Sequence, residues 1–176
     1  MLASAGCGEL QRGGPSLAKA TSPALPVGSR VPDVPELNAA GPARPPIARR
    51  SPAFSALVRC AGEHLVFKDE EKTGADTLMI APLCSALMRL GNAVQRRWPS
   101  MKLRVTEAWD EQREHGARSF HYEGRAADLT TSDLDRGKLG ELAALAVTEE
   151  FDWVFFEDQT HVHVSVRAAS AVSPGR

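Results

Sequence analysis

The chain has 176 residues, 43% hydrophobic and 24% charged, with a formal net charge of -1. That length and balance predict one globular domain, with no basic excess for nucleic acid and no acidic excess for a disordered tail. No apolar run reaches the roughly 18 residues of a membrane helix, and three cysteines, an odd number, do not by themselves build a paired disulfide framework.

Residues 1–53 contain no Phe, Tyr or Trp and carry nine of the twelve prolines, with a net charge of +3 against -4 for the remainder. Without large apolar side chains a segment buries too little area to offset its ordering entropy. Residues 1–49 are therefore expected to be an extended or disordered arm, 50–168 the folded domain, and 169–176 a disordered end. In the folded part, Leu83, Leu87, Leu90, Val94 and Trp98 form one helical stripe that Pro99 stops. Strand-like runs follow at Lys102–Trp109 and Arg125–Thr131. A second helix is expected from about Asp135 to Glu149, with Leu139, Leu142, Ala143 and Ala146 inward and Asp133 or Asp135 as its cap. Two more strands are expected at Asp152–Glu157 and His161–Val166. The order predicts an α+β fold, two main helices packed on a mainly antiparallel sheet.

Four of the five histidines lie between residues 115 and 163, in the stretch that carries Asp128 and Glu157. His161 and His163, two apart on a strand, point to one face. Imidazole plus carboxylate is a normal zinc set, and three protein ligands with one open position mark a catalytic type of site. Glu157 is the candidate general base. A three-residue 159–161 connection would set it opposite His163, and a two-residue 159–160 turn would set it on the far face. Spacing alone leaves solvated strand histidines as the alternative, since neither an HExxH helix nor a CxxC pair is present. Two acidic groups, Asp69, Glu70, Glu71 and Asp76, then Glu107, Asp110 and Glu111, supply the oxygens that calcium needs if they meet; a solvated charged surface is the alternative.

The runs Phe67-Lys68-Asp69-Glu70-Glu71-Lys72-Thr73-Gly74-Ala75-Asp76 and Leu103-Arg104-Val105-Thr106-Glu107 resemble the amino-terminal signalling domain of hedgehog proteins. So do His121-Tyr122-Glu123-Gly124-Arg125-Ala126, Thr130-Thr131-Ser132-Asp133 and Phe151-Asp152-Trp153-Val154. The resemblance runs from about Arg50 to Ala168. It implies zinc ligands at His121, Asp128 and His163, the glutamate beside the zinc at Glu157, and accompanying histidines at His115 and His161. It implies calcium ligands at Glu70, Glu71, Asp76, Glu107 and Asp110, for one or two ions. The family's zinc site is similar to that of bacterial zinc D-Ala-D-Ala carboxypeptidases, so the fold is expected to be peptidase-like and the groove to be a receptor surface. Implied partners are the Patched receptor, the hedgehog-interacting decoy receptor and fibronectin-domain co-receptors. An active zinc peptidase and a degenerate, non-signalling relative are the competing readings.

The departures bear on those expectations. Gln112 replaces a calcium-loop aspartate of the family, removing one negative charge and weakening calcium. Glu114 replaces a histidine beside His115 at the rim of the zinc groove. Ala108 replaces a glycine before Trp109. Cys60 has no family counterpart, Cys84 is expected to be a small core residue, and Val164 is similar to the family's desert type. At the amino end, Ala5-Gly6-Cys7-Gly8 resembles the cleavage junction and palmitoylated cysteine of secreted, cell-surface ligands. Only six residues precede Cys7, short of the roughly 7–15-residue apolar core of a signal peptide. Either the start is truncated or Cys7 is an ordinary cysteine. Membrane association is expected through lipid alone. With only Arg12 and Lys19 after Cys7, glycosaminoglycan binding by the arm is not expected. The resemblance implies an autoprocessing carboxy-terminal domain that is not expected within these 176 residues, so the sequence is read as either a fragment or a divergent ligand without that module.

Overall fold

The computed structural model describes residues 23–168; Cys7, the rest of residues 1–22 and the end at 169–176 lie outside the described residues. The leucine stripe folds as helix α2 (Ala81–Arg97), with Pro82 in the first turn, where its missing N–H costs nothing. Leu83, Leu87, Leu90 and Val94 are fully buried, each contributing roughly 1.5–3 kcal/mol of apolar burial. Helix α3 (Leu139–Thr148) buries the four residues expected to face inward. Asp135 caps a 3-10 turn (Arg136–Lys138) that precedes it, accepting from the Gly137 N–H, so the α-helix proper starts later than the sequence indicates.

The four expected strands are β5 (Leu103–Glu107), β6 (Ala126–Thr131), β7 (Trp153–Phe155) and β8 (Val162–Ser165). They lie in a six-stranded sheet of order β1-β7-β8-β6-β5-β3. Its edges were not anticipated. β3 (Leu65–Phe67) pairs parallel with β5, and β1 (Arg30–Val31) pairs antiparallel with β7. β2 (Val58–Arg59) and β4 (Leu78–Met79) form a separate two-stranded sheet. The sheet is mainly antiparallel and the fold α+β, as expected. Among the described residues no helix is long and apolar enough to cross a membrane.

Strand alternation sorts the sheet into two faces. Val105, Ala127, Leu129, Val162 and Val164 join the helices in the core. Asp128 and His163 alternate with them, so they project from the opposite face, where they are direct cross-strand partners.

The segment 23–49 is extended, yet it belongs to the fold, which moves the boundary expected at residue 50. Besides β1 it forms the short helix α1 (Glu36–Ala39). Side chains of the domain hold its carbonyls: buried Trp153 donates from Nε1 to Val34 at 2.9 Å, exposed Arg167 from Nε to Ala39 at 2.8 Å, and buried Arg125 to Ala40 and Pro42. Without aromatics of its own, the segment is held by these hydrogen bonds and by the burial of Ala39 and Ala40. The cysteine expectation also changes. Cys84 is not a free core thiol but is disulfide-bonded to Cys60.

Candidate metal centre

His121 lies in a 3-10 turn (Phe120–Glu123) between Ser119, whose Oγ accepts the His121 N–H, and Gly124. Gly124 has φ +63°, and a Cβ there would lie 2.8 Å from Leu57 Cδ2 and 3.2 Å from Met79 Cα, so only glycine closes this turn. The turn sets His121, 1% exposed, beside the Asp128–His163 pair. His163 Nδ1 is 2.9 Å from Asp128 Oδ1, and His121 Nε2 is 3.4 Å from His163 Nδ1 and 3.5 Å from Asp128 Oδ1. The three atoms thus form a triangle of near-equal edges. Ligands about 2.0–2.1 Å from a tetrahedral zinc stand about 3.3 Å apart, so the triangle fits.

Both imidazoles are oriented from behind. His121 Nδ1 lies 2.8 Å from the Ala108 carbonyl, and His163 Nε2 lies 2.8 Å from Glu36 Oε1. Each acceptor takes the N–H on its own side and leaves the other ring nitrogen facing the triangle, where a metal would displace any proton it carries. Burial opposes charge on His163, but the hydrogen bonds to Asp128 and Glu36 outweigh it and lift its pKa to about 10. Burial likewise opposes the Asp128 carboxylate, and His121 and His163 outweigh it, holding Asp128 well below the usual range.

His161 stands at the margin, its Nε2 3.7 Å from Asp128 Oδ2 and 3.3 Å from Glu157 Oε2. The register pairs Phe155 with His163, so its continuation sets Glu157 opposite His161, across a connection of residues 158–160. Glu157 shares the face of His163 one pair further out, a register that neither considered turn describes. His115 stacks on His121 at 4.3 Å between ring centroids, and its Nε2 lies 2.7 Å from Glu107 Oε1. That bond, against burial, raises the His115 pKa above its ordinary value.

An acidic cleft adjoins this triangle, lined by Glu71, Asp76, Glu107, Asp110, Gln112 and Glu114 among others. Four of the five expected calcium residues line it. Glu70 does not; its carboxylate pairs at 2.8 Å with Lys68, which lines the cleft. Asp110 accepts the N–H groups of Gln112, Arg113 and Glu114, which shapes the second acidic loop around it. Asp76 accepts from the N–H groups of Asp69 and Ala108. Burial, reinforced by Glu71 and Glu107 against those N–H groups, raises its pKa to about 6. The Ala108 peptide therefore touches both sites, its N–H on Asp76 and its carbonyl on His121.

Two residues that contact the candidate site carry no signal in the sequence. Glu36 stands alone in a proline-rich stretch, where only Pro35 before it marks a helix start. Arg49 donates from Nε and Nη2 to the Glu111 carboxylate, which removes one acid from the cleft's negative balance.

A two-faced α+β sheet with helices on one side and an oriented His-Asp-His donor set on the other defines a domain built around that donor set. The chain belongs to the hedgehog family: the hedgehog amino-terminal signalling domain model matches residues 7–165. It is 50% identical over 139 residues to the Indian hedgehog protein of Gallus gallus, covering 78% of this chain and 34% of that protein. To the Sonic hedgehog protein of Danio rerio it is 46% identical over 145 residues, 81% of this chain and 35% of that one. To Protein hedgehog of Drosophila hydei it is 46% identical over 136 residues, 77% and 28% of the two chains. The chain thus spans about a third of the length of these curated relatives.

Proposed function

We propose that this chain is a secreted hedgehog-type ligand that controls cell fate and patterning. It binds Patched, the decoy receptor and fibronectin-domain co-receptors through a zinc-bearing groove and a calcium-bearing cleft. The observation that carries the reading is the His121-Asp128-His163 triangle with both rings oriented from behind, in a chain of the hedgehog family. His121, Asp128 and His163 would hold the zinc. The ion supplies positive charge at the groove, to which an acidic receptor loop is complementary. Glu36 and the Ala108 carbonyl keep the rings in the ligating tautomer. Glu114 near the cleft adds a negative charge that opposes such a loop. Reporter-cell signalling by the purified chain tests the reading: activity is expected in wild type and not in Asp128→Ala. A folded, zinc-loaded wild type without signalling would support the degenerate relative.

Glu157 and His161, paired at the margin, support a second reading as a zinc peptidase with a peptidase-like fold. Turnover of a D-Ala-D-Ala peptide that vanishes in Glu157→Ala would favour it over the ligand.

Glu36→Ala is expected to lower zinc affinity by about 10–100-fold, the usual cost of losing such a support. Glu36→Gln, which keeps an acceptor for His163 Nε2, recovers part of it. Competition with a chromophoric chelator measures both; equal affinities in all three proteins would show that His163 is oriented without Glu36.

Calcium would lie in the cleft between Asp76, Glu71, Glu107 and Asp110, where the ion offsets the mutual repulsion of the acids. Asp76 protonates near pH 6, so calcium affinity is expected to fall between pH 7.5 and 5.5. Its folded pKa lies above its unfolded one, so the ionised form costs stability at neutral pH. That cost begins to fall as pH drops below about 6 and is gone only near pH 3.8, the ordinary aspartate value. Calorimetric titration at the two pH values should show the loss in wild type and a flatter response in Asp76→Asn; an identical response places Asp76 outside the binding set.

A further inference from the structure

The turn that carries Asp76 has a thin support. Strands β2 and β4 are two residues each, and both residues of β2 are exposed. A two-stranded sheet of that size does not hold itself in water. Yet this strand braces the 3-10 turn Ala75–Thr77: Arg59 Nη1 donates to Thr77 Oγ1, and the Cys60 N–H donates to the Thr77 carbonyl at 2.7 Å. Cys60 is 1% exposed and bonded through sulfur to Cys84, in the first turn of α2.

We infer that the Cys60–Cys84 disulfide is the anchor that fixes β2, and through it the Asp76 turn, to the rigid helix α2, so that the geometry of the acidic cleft depends on this cross-link. The inference rests on the calcium reading of that cleft. The bond joins residues 24 apart and closes a loop that contains β3 and the whole acidic run 69–76. Closing a loop of that size removes much of the chain entropy that would let the run open. Cys84 is half-buried and Cys60 is 1% exposed, so Cys84 is the more accessible of the two residues. Formation proceeds by thiol–disulfide exchange. The Cys84 thiolate attacks a disulfide oxidant, and one oxidant sulfur leaves as thiolate. The Cys60 thiolate then attacks Cys84 sulfur and expels the second. The two cysteines lose two protons and two electrons, and the oxidant leaves as dithiol. Such oxidants act in secretory and extracellular compartments, which agrees with a secreted ligand.

The test uses the full chain. Non-reducing peptide mapping should recover Cys60 and Cys84 in one cross-linked species. Amide exchange and calcium titration are then compared for wild type, mildly reduced wild type and the Cys60→Ser/Cys84→Ser double variant. Loss of the cross-link is expected to speed exchange of residues 74–79 about tenfold or more while α3 keeps its protection, and to weaken Ca2+ severalfold. The reduced wild type decides the matter if the double variant does not fold. Unchanged exchange and calcium affinity, or free thiols at both positions in the native protein, would overturn the inference. A wild type that takes up no calcium removes the cation reading instead, and the exchange data alone then decide whether the cross-link anchors the turn.

Discussion

Asp128→Ala is expected to abolish stoichiometric zinc uptake and to lower the melting temperature by about 10 °C, because removing one partner of a buried charged set costs roughly 3–5 kcal/mol and a domain of this size shifts by about 2–4 °C per kcal/mol. Asp128 is 7% exposed and faces three histidines, His163 at 2.9 Å, His121 at 3.5 Å and His161 at 3.7 Å. Its loss removes one of three ligand atoms and leaves the buried His163 with Glu36 as its remaining carboxylate partner. Zinc content by elemental analysis and melting by calorimetry measure the two effects; unchanged zinc and melting would refute a structural metal at this triangle. In the zinc-free protein the stability gap also has a pH signature. The Asp128 pKa is depressed, so its contribution is present above the usual carboxylate range and fades in strong acid. The His163 pKa is raised to about 10, so its contribution is complete below about 6.5 and is lost as pH rises through 10.

Arg125→Ala is expected to be as damaging, by about 3–5 kcal/mol, without touching a metal ligand. Arg125 is 2% exposed, sits 3.7 Å over the Phe120 ring, and pairs with Glu123 at 3.1 Å. It also donates to the carbonyls of Ala40 and Pro42. The alanine variant strands the buried Glu123 carboxylate and two carbonyls together, and it frees the segment that carries Glu36. Trypsin should therefore cut after Arg49 or Arg50, neither of which precedes a proline, in the variant under conditions that spare wild type. Removing Glu123 as well should recover part of the lost stability, since an absent pair costs less than half of one. A melting temperature and cleavage pattern like those of wild type would show that the segment is held elsewhere.

The legibility of this molecule follows the physics of each element. Periodic burial was readable. The stripe Leu83 to Val94 and the alternation around Asp128 and His163 depend only on helix and strand repeat, and the two main helices and four main strands form within the runs those repeats mark, α3 starting only at Leu139. The unread elements have little local signal. β1, β2 and β4 are two residues each, and β3 is three. Their pairing is set by partners far along the chain. The segment 23–49 looked unable to fold because composition counts apolar area, whereas Trp153, Arg125 and Arg167 reach it from the domain with hydrogen bonds. For the same reason Glu36 was invisible: it lies 127 positions from His163. Cys84 reads as a core thiol, since nothing local ties it to Cys60, 24 residues away. His121, Asp128 and His163 were assigned through family resemblance, and the geometry adds the two acceptors behind the imidazoles.

The most direct measurement is binding of the full chain to the decoy-receptor ectodomain, with calcium held constant and zinc either present or stripped. Tight binding that weakens at least about tenfold on zinc removal, the scale of a lost charged interaction at an interface, is the result expected of a groove that recognises its receptor through the metal. Binding that is indifferent to zinc, or absent from a folded and zinc-loaded chain, would contradict it.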